Sequence, residues 1–167
     1  MKETSEQSHA ATALAGVAEA LVNGSCPLPD VAAAGQPRAE DFRRLADAGY
    51  KSIIDLRHPA EDRGFDEAAV ARDAGLRYEN IPVTPPTLGD AEFDRFRAVL
   101  MDPANRPLLV HCASANRVGA LLIPYLMLDE GRPVGVALEL AKRAGLRSQE
   151  LADVALQYVK ANGASGL

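Results

Sequence analysis

Short apolar runs alternate with segments of helical periodicity along most of the chain. The most apolar of these runs are residues 52–56 and 107–111, and helical patterns separate and follow them. Strands that alternate with helices in this way form a parallel sheet with right-handed crossovers, because the helices must pack on the faces of the sheet. We therefore predict an α/β fold with a central, mostly parallel sheet of four to five strands flanked by helices. Ligands bind such sheets at the carboxyl ends of the strands.

The length of the chain and its breaks indicate one domain with an additional segment at each end. A chain of 167 residues has the size of a single domain. An Ala-rich stretch with helical spacing predicts an N-terminal helix within residues 1–24. The prolines of Ser25–Asp30 predict a loop, and Val31–Ala34 predicts the first strand. We expect a globular domain over residues 25–162 and a disordered tail at residues 163–167.

Composition argues against several classes of partner. The formal net charge is −5 and no basic stripe is visible, so we expect no nucleic-acid partner, since binding to phosphate backbones needs clustered Lys and Arg. The longest uncharged stretch, residues 118–128, is far shorter than the ~20 residues that span a bilayer, so we expect no membrane partner. Met1–Glu6 does not have the pattern of a secretory signal. Two cysteines are too few for a disulfide framework, which predicts a cytoplasmic location. The oligomeric state stays open.

A cysteine follows the most apolar predicted strand. Leu108–Val110 runs into His111 and Cys112, and Arg117 opens an apolar helix. The positions between the cysteine and the arginine are small or polar: Ala113, Ser114, Ala115 and Asn116. Small side chains let the amides of this loop turn inward as an anion-binding nest, and the helix N-terminus adds partial positive charge. The guanidinium of Arg117 can hold two oxygens of a phosphate, and together these groups favour the nucleophilic thiolate of Cys112.

The order His, Cys, short loop, Arg resembles the signature of the cysteine-dependent protein tyrosine and dual-specificity phosphatases. Three further segments are similar to motifs of that superfamily: Ala34–Pro37, Ile53–Arg57 with Glu61 after it, and Ile81–Val83. The spacing is most similar to a short-loop bacterial subgroup with four residues between Cys and Arg, the beta-lactamase hydrolase-like phosphatase domains, which are related to the phosphatase-like domain of some NAD kinases. The resemblance implies a dual-specificity-phosphatase-like fold, with residues 25–162 as a phosphatase-like domain.

The resemblance also implies a mechanism without metal or cofactor. Cys112 would attack phosphorus to form a phosphocysteine, Arg117 and the loop amides would bind the phosphate oxygens, and an aspartic acid would protonate the leaving group. The substrate-binding group would comprise the loop and the preceding histidine: His111, Ala113, Ser114, Ala115 and Asn116. His111 would in addition stabilise the loop and tune the thiol. The substrate would be a phosphorylated small molecule or a phosphoprotein.

The sequence departs from the main phosphatase signature at several positions. The loop has four residues rather than five, Ala115 stands where many relatives have glycine, and Val118 stands where they have Ser or Thr. Thr84–Pro86 occupies the segment that usually holds the general-acid aspartate. Asp90, Glu92 and Asp94 are the nearest alternatives, and we predict Asp90 as the acid because Gly89 before it can act as a hinge. Asp90 also fits the simpler role of a helix N-cap.

These departures leave two alternative functions open. A rhodanese-like sulfurtransferase would carry a persulfide on Cys112, and its loop has the same short spacing. A non-catalytic domain that binds an oxyanion would need neither an acid nor a hydroxyl after Arg117. His111 fits either a site role or an ordinary core histidine, and Asp55 and Arg57 fit either catalytic support or a structural ion pair.

Overall fold

Five short strands form one sheet. The structure is a computed structural model that describes residues 2–163. The strands are β1 (Ser25–Leu28), β2 (Val31–Ala34), β3 (Ser52–Asp55), β4 (Arg77–Asn80) and β5 (Leu108–His111). Their order in the sheet is β1-β2-β5-β3-β4, with parallel pairing throughout except at β1, which runs antiparallel to β2 on one edge. The predicted α/β fold with a mostly parallel sheet is confirmed.

Seven α-helices flank the sheet between residues 2 and 163. They are α1 (Lys2–Glu19), α2 (Asp41–Ala48), α3 (Glu67–Asp73), α4 (Asp90–Met101), α5 (Asn116–Pro124), α6 (Val134–Arg143) and α7 (Gln149–Ala161). The side chains of β5 alternate between the two faces of the sheet and show which helices cover each face. Leu108 and Val110 pack in one apolar cluster with residues of α4 to α7, whereas Leu109 packs in a second cluster with residues of α1 to α3.

The carboxyl ends of the three central strands lie side by side. His111, the last residue of β5, is paired with Ala34 of β2 on one side and with Asp55 of β3 on the other. All four residues of β5 are buried, as expected for a strand covered by helices on both faces. Residues that follow β2, β3 and β5 therefore meet at one edge of the sheet.

The structure corrects the expected loop at residues 25–30. Residues 25–28 form β1, and Pro27 lies within it. Proline predicted a break because it cannot donate to a strand ladder, but an edge strand has one side without a ladder and tolerates it.

The apolar helix predicted to open at Arg117 is also not a regular α-helix throughout. α5 ends at Pro124 and continues as a π-type turn over Tyr125–Asp129. Pro124 has no N–H to complete the regular helical bond, which accounts for the change.

The N-terminal segment forms a helix that packs against the sheet. α1 lies within the segment predicted as an N-terminal helix. Its Leu14 and Ala18, together with Leu21 in the turn after it, are buried in the same cluster as Phe42. α1 is therefore part of the core of the domain. The tail predicted at residues 163–167 lies outside the described residues, apart from Gly163. Within the described part of the chain, no helix has both the length and the hydropathy needed to cross a bilayer.

Candidate active site

Cys112 stands where the central strand ends. It directly follows β5, and only 1% of its surface is exposed. Its backbone N–H donates to the carbonyl of Ala34 at 3.3 Å, so the pairing with β2 continues one residue beyond the strand. The sheet thus fixes the position of the thiol at the edge where the parallel strands end.

The loop after Cys112 turns its carbonyl groups outward. The carbonyl oxygens of Ala113, Ser114 and Ala115 each accept a hydrogen bond from outside the loop. The donors are the backbone N–H of Gln36 to Ala113 (3.2 Å), Nη1 of Arg147 and Nδ2 of Asn23 to Ser114 (both 3.4 Å), and the backbone N–H of Gly119 to Ala115 (3.2 Å). A trans peptide holds its C=O and the following N–H in opposite directions, so the amides of residues 114–116 point away from these donors. Amides arranged in this way at the start of a helix match the geometry of an anion-binding nest.

Ala115 adopts a backbone conformation that favours glycine. Its φ is +69°, in the left-handed region where a Cβ crowds the neighbouring carbonyl. Gly145, in the connection between α6 and α7, packs directly against it. A Cβ at position 145 would lie 2.6 Å from the Cβ of Ala115. The methyl group of Ala115 therefore occupies space that the missing side chain of Gly145 leaves free.

The connection between α6 and α7 also holds the loop through polar contacts. Oδ1 of Asn116 accepts hydrogen bonds from the backbone N–H of Arg147 at 2.8 Å and of Ser148 at 3.1 Å. Nη2 of Arg147 donates to Oγ of Ser114 at 2.8 Å. The side chains of Ser114 and Asn116 thus maintain the shape of the loop. The predicted substrate-binding role of Ser114 and Asn116 would therefore be carried out by their backbone amides.

Arg117 keeps two N–H groups, on one edge of its guanidinium, outside its hydrogen bonds to Glu61 and Val83. Nη1 donates to Oε2 of Glu61 at 2.9 Å and to the carbonyl of Val83 at 3.0 Å, and Nη2 donates to Oε1 of Glu61 at 2.9 Å. Three of the five N–H bonds of an arginine are thereby used, which leaves Nε–H and the second Nη2–H. The hydrogen bonds to Glu61, and secondarily the nearby Cys112 thiol, raise the pKa of Arg117. The free edge has the fork geometry that matches two oxygens of a phosphate.

Glu61 is a carboxylate held in place by four donor groups. Besides the two nitrogens of Arg117, it accepts from Nε of Arg57 at 3.2 Å and from the backbone N–H of His58 at 2.6 Å. The hydrogen bond from Arg117 is the largest cause that lowers the pKa of Glu61 to about 2. Glu61 is therefore ionised at neutral pH and fixes the orientation of the arginine.

A polar cluster is buried beneath the loop. His111, Asp55 and Glu67 are at most 2% exposed. Nδ1 of the His111 ring lies 3.3 Å from the carbonyl oxygen of Cys112, and Nε2 lies 2.7 Å from Oε1 of Glu67 and 3.8 Å from Oδ1 of Asp55. His111 thus joins the loop to two buried carboxylates.

Arg63 is the basic partner of both carboxylates. Its Nε lies 2.7 Å from Oδ2 of Asp55 and 3.2 Å from Oε2 of Glu67, and the hydroxyl of Tyr78 donates to the same Asp55 oxygen at 2.6 Å. The structure therefore places Asp55 in an ion pair with Arg63, whereas Arg57 offers Asp55 only its backbone N–H, at 2.9 Å.

The cluster has the donor spacing of a metal site, but a guanidinium supplies its positive charge. Ligand atoms of Asp55, Glu67 and His111 lie within 4.8 Å of one another. Burial would raise the pKa of Asp55, but the charge of His111 and hydrogen bonds, chiefly from Glu67 and Arg63, outweigh it and lower that pKa. Burial raises the pKa of Glu67, against an opposing contribution from His111. The two carboxyl groups therefore differ in proton affinity.

The three candidate acids have different surroundings. Glu92 accepts the backbone N–H of Gly89 at 3.0 Å as part of the helix cap, and Asp94 accepts the hydroxyl of Tyr158. Asp90, the first residue of α4, is exposed and has no hydrogen-bond partner within residues 2–163. The turn before it begins at Val83, whose carbonyl contacts Arg117. Asp90 as the acid stays a prediction.

Sequence reasoning gave no role to several residues of this site. Glu61 was noted only as part of a motif, although its position after Arg57 at a strand end marks it as a partner for an arginine. Glu67, Arg63 and Arg147 carry no local signal, because α3, the segment before it and the α6–α7 connection bring them to the site through the tertiary fold.

Comparison with known proteins identifies the family. Residues 30–158 match the family described as DSP-PTPase phosphatase fused to NAD+ kinase. The chain belongs to this family. The predicted resemblance to the cysteine-dependent phosphatase superfamily is thereby confirmed, and the matched range of the DSP-PTPase family contains all the site residues named above.

Relatives of this DSP-PTPase domain occur within longer proteins and among solved structures. A beta-lactamase hydrolase-like protein of Agrobacterium fabrum is 35% identical over 100 residues, which cover 58% of this chain and 23% of that protein. A DUF442 protein from Shewanella putrefaciens has a TM-score of 0.75 at 19% identity, covering 89% of this chain and 99% of that chain. TpbA from P. aeruginosa, in complex with phosphotyrosine, has a TM-score of 0.64 at 21% identity, with 83% of each chain covered. The two structures show a shared fold.

Proposed function

We propose that the protein hydrolyses a phosphomonoester through a phosphocysteine intermediate on Cys112. One observation carries this proposal: the loop amides of residues 114–116 and the free edge of Arg117 surround a cysteine at the end of the central strand. This arrangement offers hydrogen bonds to the equatorial oxygens of a phosphoryl group while the thiolate attacks phosphorus. Membership of a phosphatase family supports the same chemistry.

The proposed reaction has two steps. In the first, the Cys112 thiolate forms an S–P bond, the bond from phosphorus to the leaving oxygen breaks, and Asp90 gives that oxygen a proton. In the second, water attacks phosphorus, gives its proton to the carboxylate of Asp90, and the S–P bond breaks to release inorganic phosphate and the thiolate. Arg117, oriented by Glu61, and the loop amides stabilise the charge on the oxygens in both transition states.

The assignment of the acid to Asp90 rests on its surroundings. Of the three candidates, it is the one whose carboxylate is exposed and unpartnered in the described part of the chain. Its segment begins at Val83, which contacts Arg117, so a movement of the turn towards the loop would carry Asp90 with it. Gly89 before it supports such a movement.

We further propose a phosphorylated protein side chain or a phosphorylated small molecule as the substrate class. The fold shared with TpbA, solved with phosphotyrosine, supports an aryl phosphate as the first probe. A reactive thiol requires a reducing compartment, which supports the cytoplasm as the place of action. We propose no nucleic-acid or membrane partner, because the net charge is −5.

The short loop supports a sulfurtransferase as the second candidate. Four residues separate Cys112 from Arg117, and a persulfide sulfur is smaller than a phosphoryl group. A persulfide on Cys112 formed from thiosulfate would release sulfite, and cyanide would then take the outer sulfur as thiocyanate. Formation of thiocyanate without release of phosphate from any ester would identify this alternative.

The decisive experiment compares hydrolysis of an aryl phosphate by the wild type and by Cys112→Ser between about pH 5 and 8. We expect turnover in the wild type and none in the variant. Cys26→Ser is the matched control, because burial raises the pKa of the Cys26 thiol and Cys26 contacts Tyr50 rather than the loop. It should retain full activity. Binding of phosphate without turnover in the wild type would instead support a non-catalytic oxyanion-binding domain.

A further inference from the structure

Arg147 lies beside the loop that follows Cys112. Nη2 of its guanidinium donates to Oγ of Ser114 at 2.8 Å, and Nη1 donates to the carbonyl oxygen of the same residue at 3.4 Å. The backbone amide of Ser114 belongs to the group proposed to bind the phosphoryl oxygens. Two of the five N–H bonds of the arginine are used in these contacts, which leaves three for another acceptor. Arg147 is therefore an exposed donor group at the rim of the loop.

The positive charge of Arg147 is not balanced by a neighbouring carboxylate. Within residues 2–163, both contacts of its guanidinium go to Ser114, and no ion pair includes it. Arg117, by contrast, pairs with both carboxylate oxygens of Glu61. Arg147 therefore adds net positive charge at the rim of the loop, although the whole chain carries a net charge of −5.

A cavity of about 110 Å³ adjoins Arg147 between α6 and α7. Because a water molecule takes up about 30 Å³, the cavity has room for a group as large as about three waters. Its lining includes four apolar side chains and two cationic ones: Leu138, Leu146, Ala152, Leu156, Lys142 and Arg147. Lys142 is exposed and has no carboxylate partner in the described part of the chain. The space next to the loop therefore favours a group with negative charge.

We propose that Arg147 is a specificity-determining residue that binds a second anionic group of the substrate, a carboxylate or a phosphate. The loop amides and Arg117 hold the phosphoryl group, while the fork of Arg147 offers N–H bonds to two oxygens of the second group. Lys142 adds a further positive charge at the same cavity. This inference rests on the proposed function and names its substrate class: a phosphate ester with a second negative charge a few bonds from the ester.

The test compares two aryl esters of equal size that differ by one charge, meta-carboxyphenyl phosphate and meta-carbamoylphenyl phosphate. Their ratio of kcat/KM is measured in the wild type and in Arg147→Gln. The change in this ratio cancels the difference between the leaving groups and any effect of Arg147 on the loop itself. We expect the preference for the carboxylate ester to fall about fivefold in the variant. An equal loss for both esters would overturn the proposal.

Three variants separate the contact from other effects. Arg143→Gln removes the same charge at the end of α6, but Arg143 lines a different cavity with Glu19 and Cys26, so the ratio should not change. A fall of equal size there would show a long-range effect of charge and overturn the specific role of Arg147. Ser114→Ala removes the hydroxyl that Arg147 contacts and should lower kcat/KM for both esters to the same extent. Arg147→Lys keeps the charge and should retain part of the preference.

The meta-phenylene bisphosphate distinguishes the two kinds of anion. It carries a second phosphate where the first ester carries a carboxylate. The ester that loses more in Arg147→Gln identifies the second group. If neither the carboxylate ester nor the bisphosphate loses more than the carbamoyl ester, Arg147 does not bind a second anion.

Calorimetric titration of Cys112→Ser with the same esters separates this inference from the proposed function. This variant lacks the thiolate, so binding is measured without turnover. We expect tighter binding of the carboxylate ester or the bisphosphate than of the carbamoyl ester, and loss of this difference when Arg147→Gln is added. If the wild type hydrolyses no ester but this pattern is found, the proposed function fails while the inference stands. Turnover in the wild type with no difference in binding would have the opposite meaning.

Discussion

Arg117 and Glu61, 56 positions apart in the sequence, act as one unit at the candidate site. The Glu61 carboxylate occupies the end of the guanidinium formed by Nη1 and Nη2. This leaves the edge formed by Nε and Nη2 for an anion. A lysine could not divide its contacts in this way, because its three N–H bonds radiate from one point charge. The pair explains how an arginine can be fixed before a substrate arrives.

Glu61→Gln should weaken this preorganisation. Because the amide keeps one acceptor but loses the charge, we expect kcat/KM for an aryl phosphate to fall about tenfold. Asp62→Asn is the control, since Asp62 is exposed and accepts only the backbone N–H of Gly64 among the described contacts. Unchanged kcat/KM in Glu61→Gln would show that Arg117 is oriented by other groups.

The same substitution should change the pH dependence of stability. The pKa of Glu61 is lowered from 4.5 to about 2 in the folded protein, so its ionised form stabilises the fold above pH 4.5, and this contribution is lost as the pH falls towards 2. The difference in Tm between wild type and Glu61→Gln should be largest above pH 4.5 and shrink below it. A difference that is constant from pH 7 to pH 2 would contradict the ion pair with Arg117.

Asp90→Asn tests the proposed acid through the leaving group. An alkyl alkoxide needs a proton far more than a nitrophenolate, so we expect kcat to fall about 10²-fold for an alkyl phosphate and little for p-nitrophenyl phosphate. Glu92→Gln, in the same helical turn, keeps an acceptor for the capping N–H of Gly89, and its effect should not depend on the leaving group. Equal losses for both esters in Asp90→Asn would assign the proton to another donor.

Elements outside the loop determine the shape of the loop. The α6–α7 connection supplies Gly145, which makes room for Ala115, and backbone N–H groups for Asn116. The anion nest therefore depends on helices that follow the signature by some thirty residues.

Gly145→Ala should destabilise the protein by about 2 kcal/mol, because it adds a methyl group 2.6 Å from the Cβ of Ala115 at a φ of +120°. Ala115→Gly in the same chain should recover part of this loss, since it removes one of the two methyl groups. Urea denaturation of the wild type, both single variants and the double variant measures the coupling. Strictly additive effects would show that the two residues do not contact each other.

The arrangement of the elements also explains which features could be predicted from the sequence. Cys112 and Arg117 could be predicted because strand, loop and helix are consecutive in the sequence, so local pattern alone brings them together. β1 could not, because Pro27 is a breaker in most contexts and its tolerance depends on the strand being at an edge. The carboxylate cluster could not either, because Glu67 reaches His111 only through the packing of α3 against the sheet.

At the scale of the molecule, α1 belongs to the same cooperative unit as the sheet. Its Leu14 and Ala18 are buried, as is Leu21 in the turn after it. The same turn reaches the site region, where the carbonyl of Val22 accepts the N–H of Gly35 at 2.7 Å. The matched family range begins at residue 30, and this helix, which lies before that range, contributes to the core.

Removal of residues 1–24 should lower Tm by about 10 °C or more, because it exposes the apolar face beneath α1. Removal of residues 1–10 is the control, since the described side chains there are exposed, and should change Tm by no more than about 2 °C. Thermal unfolding of the three chains checks this. An unchanged Tm after removal of residues 1–24 would show that α1 does not stabilise the rest of the domain.

The contact between Ala115 and Gly145 restricts the order in which these two residues could have been introduced during evolution. A methyl group fits at position 115 only while position 145 is glycine, and the backbone at 145 is itself unsuited to a side chain. A lineage with this backbone could accept alanine at position 115 only after glycine was already present at position 145. Once alanine was in place, position 145 lost the freedom to mutate, so a change in the signature loop constrains a residue thirty positions downstream.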